Sequence, residues 1–173
     1  MRQNIVYLVE GETEKKFLQS LKTDLQCICP GKIFVFNAVQ ECARKNFFLQ
    51  FDKSIFVLIF DTDTNNISIL QENIKFISAL PNSQKVICIP QVKNLEDEIC
   101  YSCKINDIRN ITGSSSASDF KRDFLHITNI HKKLISYKFD IARLWCRKAK
   151  GIFSQINNDA TQVKYKNIRS LLK

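Results

Sequence analysis

The sequence predicts an α/β protein: a roughly four-stranded parallel sheet flanked by helices, followed by a basic helical C-terminal extension. Three observations predict it. Apolar runs of strand length alternate with amphipathic runs of helical length over residues 1–90. One of the strand-like runs, Ser54–Phe60 (SIFVLIF), is apolar almost throughout, as strands covered on both faces are. After Pro90 the strand signal fades, and lysine and arginine accumulate among short helical segments.

Taken in order, Asn4–Val9 reads as a strand, and Thr13–Cys27 as a helix with Phe17, Leu18, Leu21 and Leu25 on one face. Lys32–Asn37 (KIFVFN) is a second strand and Glu41–Phe51 a second helix, in which Phe47, Phe48 and Phe51 belong to the core. Ser54–Phe60 is the third strand; Ile67–Leu80 is a helix stopped by Pro81-Asn82. Lys85–Pro90 (KVICIP) is the fourth strand and Asn94–Cys103 the helix after it. Thr112–Ser118 (TGSSSAS) is a small polar linker. Beyond it, Asp119–Leu125, Lys132–Tyr137 and Asp140–Lys148 read as helices, with Trp145 as a packing anchor. The division expected is a catalytic core over residues 1–111, a linker over 112–118, and a basic helical region over 119–173 packed on the core.

A chain of 173 residues suffices for one domain with a real core. No apolar run reaches the ~18 residues of a membrane span, and the N-terminus lacks the layout of a signal peptide, so no membrane partner is expected. Seven cysteines, an odd number scattered through strands and helices, fit reduced thiols and a cytoplasmic location. The charge is divided unevenly. Residues 1–120 carry a net charge of −1 and residues 121–173 a net charge of +10. So localised an excess points to a polyanionic partner, a nucleic acid, because each phosphate contact by Lys or Arg releases counterions. The residues read as gripping it are Lys93, Lys121, Arg122, Lys132, Lys133, Arg143, Arg147 and Lys148.

The carboxylates collect elsewhere. In open parallel sheets ligands bind beyond the carboxyl ends of the strands. Glu10 comes after the first strand in VEGETE, Asp61 and Asp63 after the third in FDTDT, and Glu96, Asp97 and Glu98 after the fourth in NLEDE. Gathering acids at one edge is costly unless a cation offsets them, and hard divalent ions prefer carboxylate oxygen. The acids at these strand ends are therefore the candidate site of a Mg²⁺ or Mn²⁺ ion, with Glu10 part of it. Glu12 and Glu14 are set aside as first-turn acids of a helix capped by Thr13.

A strand ending in Glu-Gly, a later strand ending in Asp-x-Asp and further acids after the next resemble the TOPRIM domain of topoisomerases, primases and related nucleases. VEGETEKKF and FDTDT carry the resemblance, which spans about residues 1–105; with NLEDE it is closest to the nuclease branch that includes the overcoming-lysogenization-defect proteins and other phage-defence effectors. The resemblance implies metal-assisted phosphodiester hydrolysis. Glu10 would serve as general base or metal-orienting group, Asp61 and Asp63 as metal ligands, and Glu96 or Glu98 as holders of a second ion. A lysine that offsets charge on the phosphorus is expected; Lys121 in SDFKRDF is the first candidate and Lys93 the second. Unlike overcoming-lysogenization-defect proteins, the sequence contains no ATPase domain, which implies a stand-alone protein working with a separately encoded ATPase or another defence-system protein.

Other patterns compete for the same residues. FVLIFDTDT resembles the first motif of haloacid-dehalogenase phosphatases, with Asp61 as nucleophile, but that motif belongs in a first strand and here it lies in the third. Asp61, Asp63, Asn65 and Glu72 match four positions of an EF-hand loop, yet Asn66 stands where the loop needs glycine. Cys27-Ile-Cys29 with Cys100-x-x-Cys103 has only half the spacing of a zinc site, and buried apolar cysteines account for it. His126 and His131 suit phosphate contacts or surface positions.

Overall fold

In the computed structural model, residues 4–116 and 118–165 are described. The end of the basic C-terminal region (166–173) and one linker residue lie outside them. The four apolar runs form strands β1 (Asn4–Val9), β2 (Lys32–Val35), β3 (Ser54–Asp61) and β4 (Ser83–Gln91), and all pairings are parallel in the order β2-β1-β3-β4. Seven α-helices are described, α1 (Glu12–Thr23), α2 (Lys45–Leu49), α3 (Ser68–Ser78), α4 (Leu95–Cys103), α5 (Arg109–Thr112), α6 (Phe120–His126) and α7 (Ile130–Ser136), with short 3-10 helices at Gly151–Gln155 and Ala160–Gln162. The α/β expectation is met.

The period-two alternation of each strand builds two cores. Ile5, Tyr7, Val9, Val57, Ile59, Ile87 and Ile89 face one layer, filled by Phe17, Leu18 and Leu21 of α1 and by Leu95 and Ile99 of α4. Val6, Leu8, Phe56, Leu58 and Phe60 face the other, with Phe36, Phe48, Phe51, Leu70 and Ile77. That second layer is dominated by edge-to-face rings, with Phe47–Phe48 centroids at 5.1 Å and Phe48–Phe56 at 5.3 Å. The C-terminal third is integral to the first layer: Phe120, Phe124, Ile130, Leu134, Leu144 and Trp145 are buried in the same cluster as β1 and α1. Trp145 is a packing anchor, as expected.

Gly31, just before β2, shows how tightly β1 and β2 are joined. A Cβ there would lie 2.6 Å from Ile5 O and 2.8 Å from Tyr7 Cε2, while Tyr7 donates its hydroxyl to Cys29 O at 2.7 Å. Gly31→Ala is expected to lower stability by about 1–3 kcal/mol, the range for overpacking; a urea titration checks it.

Three expected helices differ. The helix expected to reach Cys27 ends at Thr23, and Gln26 adopts φ +49° as the chain turns toward a bridge between Ile28 and Lys164. The helix expected over Glu41–Phe51 contracts to α2, because Asn37 Oδ1 accepts from Val39 N and Gln40 N and makes residues 37–41 a turn. The expected helix over Asp140–Lys148 is a series of turns. Trp145 takes φ +51° and spends its backbone N–H on Glu98 Oε2 at 2.9 Å, so the turn does not continue as a helix, yet Ile141, Leu144 and Trp145 still reach the core.

Candidate metal and phosphate site

In a 2-1-3-4 sheet the chain leaves β1 toward one edge and β3 toward the other, so the crevice beyond their carboxyl ends is the topological switch point. Glu10 and Asp61 meet there. Glu10 Oε2 accepts from Asp61 N at 3.3 Å, and Glu10 Oε1 accepts from Asn37 Nδ2 at 2.7 Å. The first carboxylate is thus fixed by groups at the ends of β2 and β3. The loop after β3 is pinned as well. Thr62 N donates to Lys93 O and Lys93 N to Thr62 Oγ1, both at 2.9 Å, while Thr62 Oγ1 donates to Gln91 O at 2.8 Å. These bonds tie the Asp61-Thr62-Asp63 segment to the end of β4.

Asp61 is the electrostatic centre of the cluster. Burial first, and then the neighbouring Glu10, Glu14, Asp63 and Glu96, together push its carboxyl up to about 9. Its Oδ1 is buried and has no hydrogen-bond partner among the described residues. Glu14, set aside as a capping acid in the sequence, belongs to this group. Gly11, not Thr13, occupies the N-cap of α1, and a Cβ at Gly11 would stand 3.0 Å from Glu14 Oε2. The glycine therefore leaves room for Glu14 to fold back over the helix start, where only 5% of the residue is exposed. Burial raises its carboxyl, Glu96 and Glu10 add to the rise, and Lys121 opposes it. Asp63 is exposed on the loop, and Glu96 is half-buried in the first turn of α4.

Lys121, on α6, reaches this edge from the C-terminal third: its Nζ lies 3.9 Å from Glu96 Oε1, with the side chain 66% exposed. Lys93 pairs with Asp97 at 3.6 Å.

Glu98 stands apart from the other expected ligands. It is fully buried, and both oxygens are taken: Oε1 accepts from Val92 N at 2.9 Å and from Arg147 at 3.0 Å, and Oε2 accepts from Trp145 N. The expected ligand is a structural brace that holds the 140–148 turns on α4, and this corrects its assignment as a metal ligand.

The expected nucleic-acid contacts divide in two. Arg147 is committed to Glu98 and Val92 O, and Arg143 donates to Tyr101 O at 2.9 Å; both guanidinium groups lie against the Tyr101 ring, at 4.7 and 4.1 Å. These two arginines hold the C-terminal segment to α4, and that corrects their place among the expected phosphate contacts. Lys121, Arg122, Lys132, Lys133 and Lys148 are exposed. Arg122 bridges Asp119 and Asp123 at 3.0 Å each. His126 bonds the Arg122 carbonyl, and His131 stands beside Asp24.

All seven cysteines are free thiols. Among the described residues no three His, Cys, Asp or Glu side chains are drawn together closely enough to hold an ion. Carboxylates close to ligation distance only when a cation offsets their repulsion. The orphaned buried oxygen of Asp61 and the hard-oxygen donor set around it fit a divalent cation of the Mg²⁺ or Mn²⁺ kind.

Comparison with family models, curated proteins and solved structures returns no match. The chain is an α/β protein with a four-stranded parallel sheet, and no described helix is long and apolar enough to cross a membrane.

Proposed function

We propose that this chain is a cytoplasmic, metal-dependent nuclease of the TOPRIM type, and that it cuts nucleic-acid phosphodiester bonds. The observation that carries the reading is the meeting of Glu10 and Asp61 across the switch point, with Glu14, Asp63 and Glu96 around Asp61. A costly group of acids at a ligand-binding edge has no use to a scaffold. Asp61, Asp63 and Glu96 would hold Mg²⁺ or Mn²⁺, with Glu14 beside them. The ion supplies a positive centre that offsets the carboxylates and polarises the scissile phosphate.

The chain's own groups do the rest. Glu10, oriented by Asn37 and by the Asp61 amide, takes a proton from the attacking water. Lys121 stands at the edge of the acids and places its ammonium against charge building on the phosphoryl oxygens. Exposed Lys132, Lys133, Lys148 and Arg122 grip the phosphate backbone, sequence-independently. The resemblance to phage-defence effectors extends the proposal to a defence role with a separately encoded partner.

The test is cleavage of plasmid DNA, single-stranded DNA and total RNA with Mg²⁺ or Mn²⁺, beside Glu10→Ala. Metal-dependent cutting that disappears in Glu10→Ala supports the reading and selects the substrate class. Salt-sensitive binding without cutting would replace it with a nucleic-acid-binding subunit that needs a partner. Neither binding nor cutting would sink it.

A further inference from the structure

The carboxyl end of β4 carries a side chain that the acid cluster does not explain. Gln91 is 0% exposed, and both its Oε1 and its Nε2 lack a hydrogen-bond partner among the described residues. A buried amide left unsatisfied costs about 1–3 kcal/mol per group, and an apolar side chain would fill the position without that cost. The register places the unmet amide: Gln91 is the Cα partner of Asp61 on the neighbouring strand. The alternation that sends Ile59, Ile87 and Ile89 into the first layer puts Asp61 and Gln91 on that same face. Two adjacent strands thus end, on one face, in polar groups with unmet hydrogen-bonding capacity: the Gln91 amide and Asp61 Oδ1. The backbone between them is already fixed by the bond from Thr62 Oγ1 to Gln91 O.

We infer that Gln91 is a positioning residue of the metal site, its Nε2 donating to Asp61 Oδ1 and turning the other carboxylate oxygen toward the ion. This rests on the metal-site reading above. Such outer partners fix ligand orientation, and their loss typically weakens metal binding about 10–100-fold.

Gln91→Met keeps the length and shape of the side chain and removes the donor, and Gln91→Leu serves if that variant does not fold. Mn²⁺ binding is measured by calorimetry and by electron paramagnetic resonance, and unfolding by urea in chelator. The expected result is a metal-free protein at least as stable as wild type that binds Mn²⁺ about 10–100-fold more weakly. Unchanged Mn²⁺ affinity in the variant, or lost stability with intact affinity, would overturn the assignment while leaving the metal site standing. No Mn²⁺ binding by the wild-type protein would overturn both.

Discussion

Glu98→Ala is expected to lower the unfolding free energy by about 3–5 kcal/mol, the cost of breaking a buried ion pair from one side. The deletion leaves the Arg147 guanidinium with only the Val92 carbonyl and the Tyr101 ring, and strands the amides of Val92 and Trp145. A loss of that size consumes a large share of the roughly 5–15 kcal/mol that ordinarily stabilises a domain. Urea unfolding reads it directly. Glu98→Gln separates the bracing role from metal ligation, the role expected from NLEDE. If Glu98 is a brace, the substituted amide keeps an acceptor for one backbone N–H, and the variant folds less stably with Mn²⁺ binding intact. A variant that folds normally and loses Mn²⁺ would return Glu98 to the metal site.

Asp61→Asn is expected to abolish cleavage, by at least about 10³-fold or roughly 4 kcal/mol of barrier, while making the metal-free protein more stable. The sign comes from the folded carboxyl at about 9 against an ordinary value near 4. Below about pH 4 the group is protonated folded or unfolded and the wild type bears no penalty. Between about pH 4 and 9 only the unfolded chain ionises freely, so this contribution falls as pH rises. Asparagine has nothing to ionise. In chelator at about pH 8 the variant should therefore melt above wild type, with the gap closing toward about pH 4. Mn²⁺ should raise the melting temperature of wild type and not of the variant. Equal melting of the two proteins across this range would show that Asp61 is not held against its charge.

Much of this was legible in the chain. The strands were, because an apolar run such as SIFVLIF has few alternatives, and the alternation of strands with helical patterns implied the parallel sheet. So was the edge where Glu10 and Asp61 meet, since strand ends fix it before any side chain is placed. The role of Glu98 was half-legible. Leu95, Glu98, Ile99 and Ser102 have the i, i+3, i+4, i+7 spacing of a buried helix face, and all four are buried, while Glu96 falls off that stripe. Glu14 was misread because a first-turn acid has a sufficient local explanation; its spacing of about one helical turn from Glu10 was the signal. Asn37 and Gln91 could have been found by asking which polar residues stand at the carboxyl ends of β2 and β4. The commitments of Arg143 and Arg147 were not legible, since Tyr101 is distant from both along the chain and only tertiary packing unites them.

The most direct measurement is anomalous X-ray scattering at the manganese edge from crystals soaked in Mn²⁺. The expected result is a peak at the carboxyl ends of β1 and β3, within ligation distance of Asp61 and at least one of Glu10, Glu14, Asp63 and Glu96, and none beside Glu98. No peak at this edge under saturating Mn²⁺, or ordered Mn²⁺ only elsewhere on the protein, would contradict the metal-dependent reading at its root.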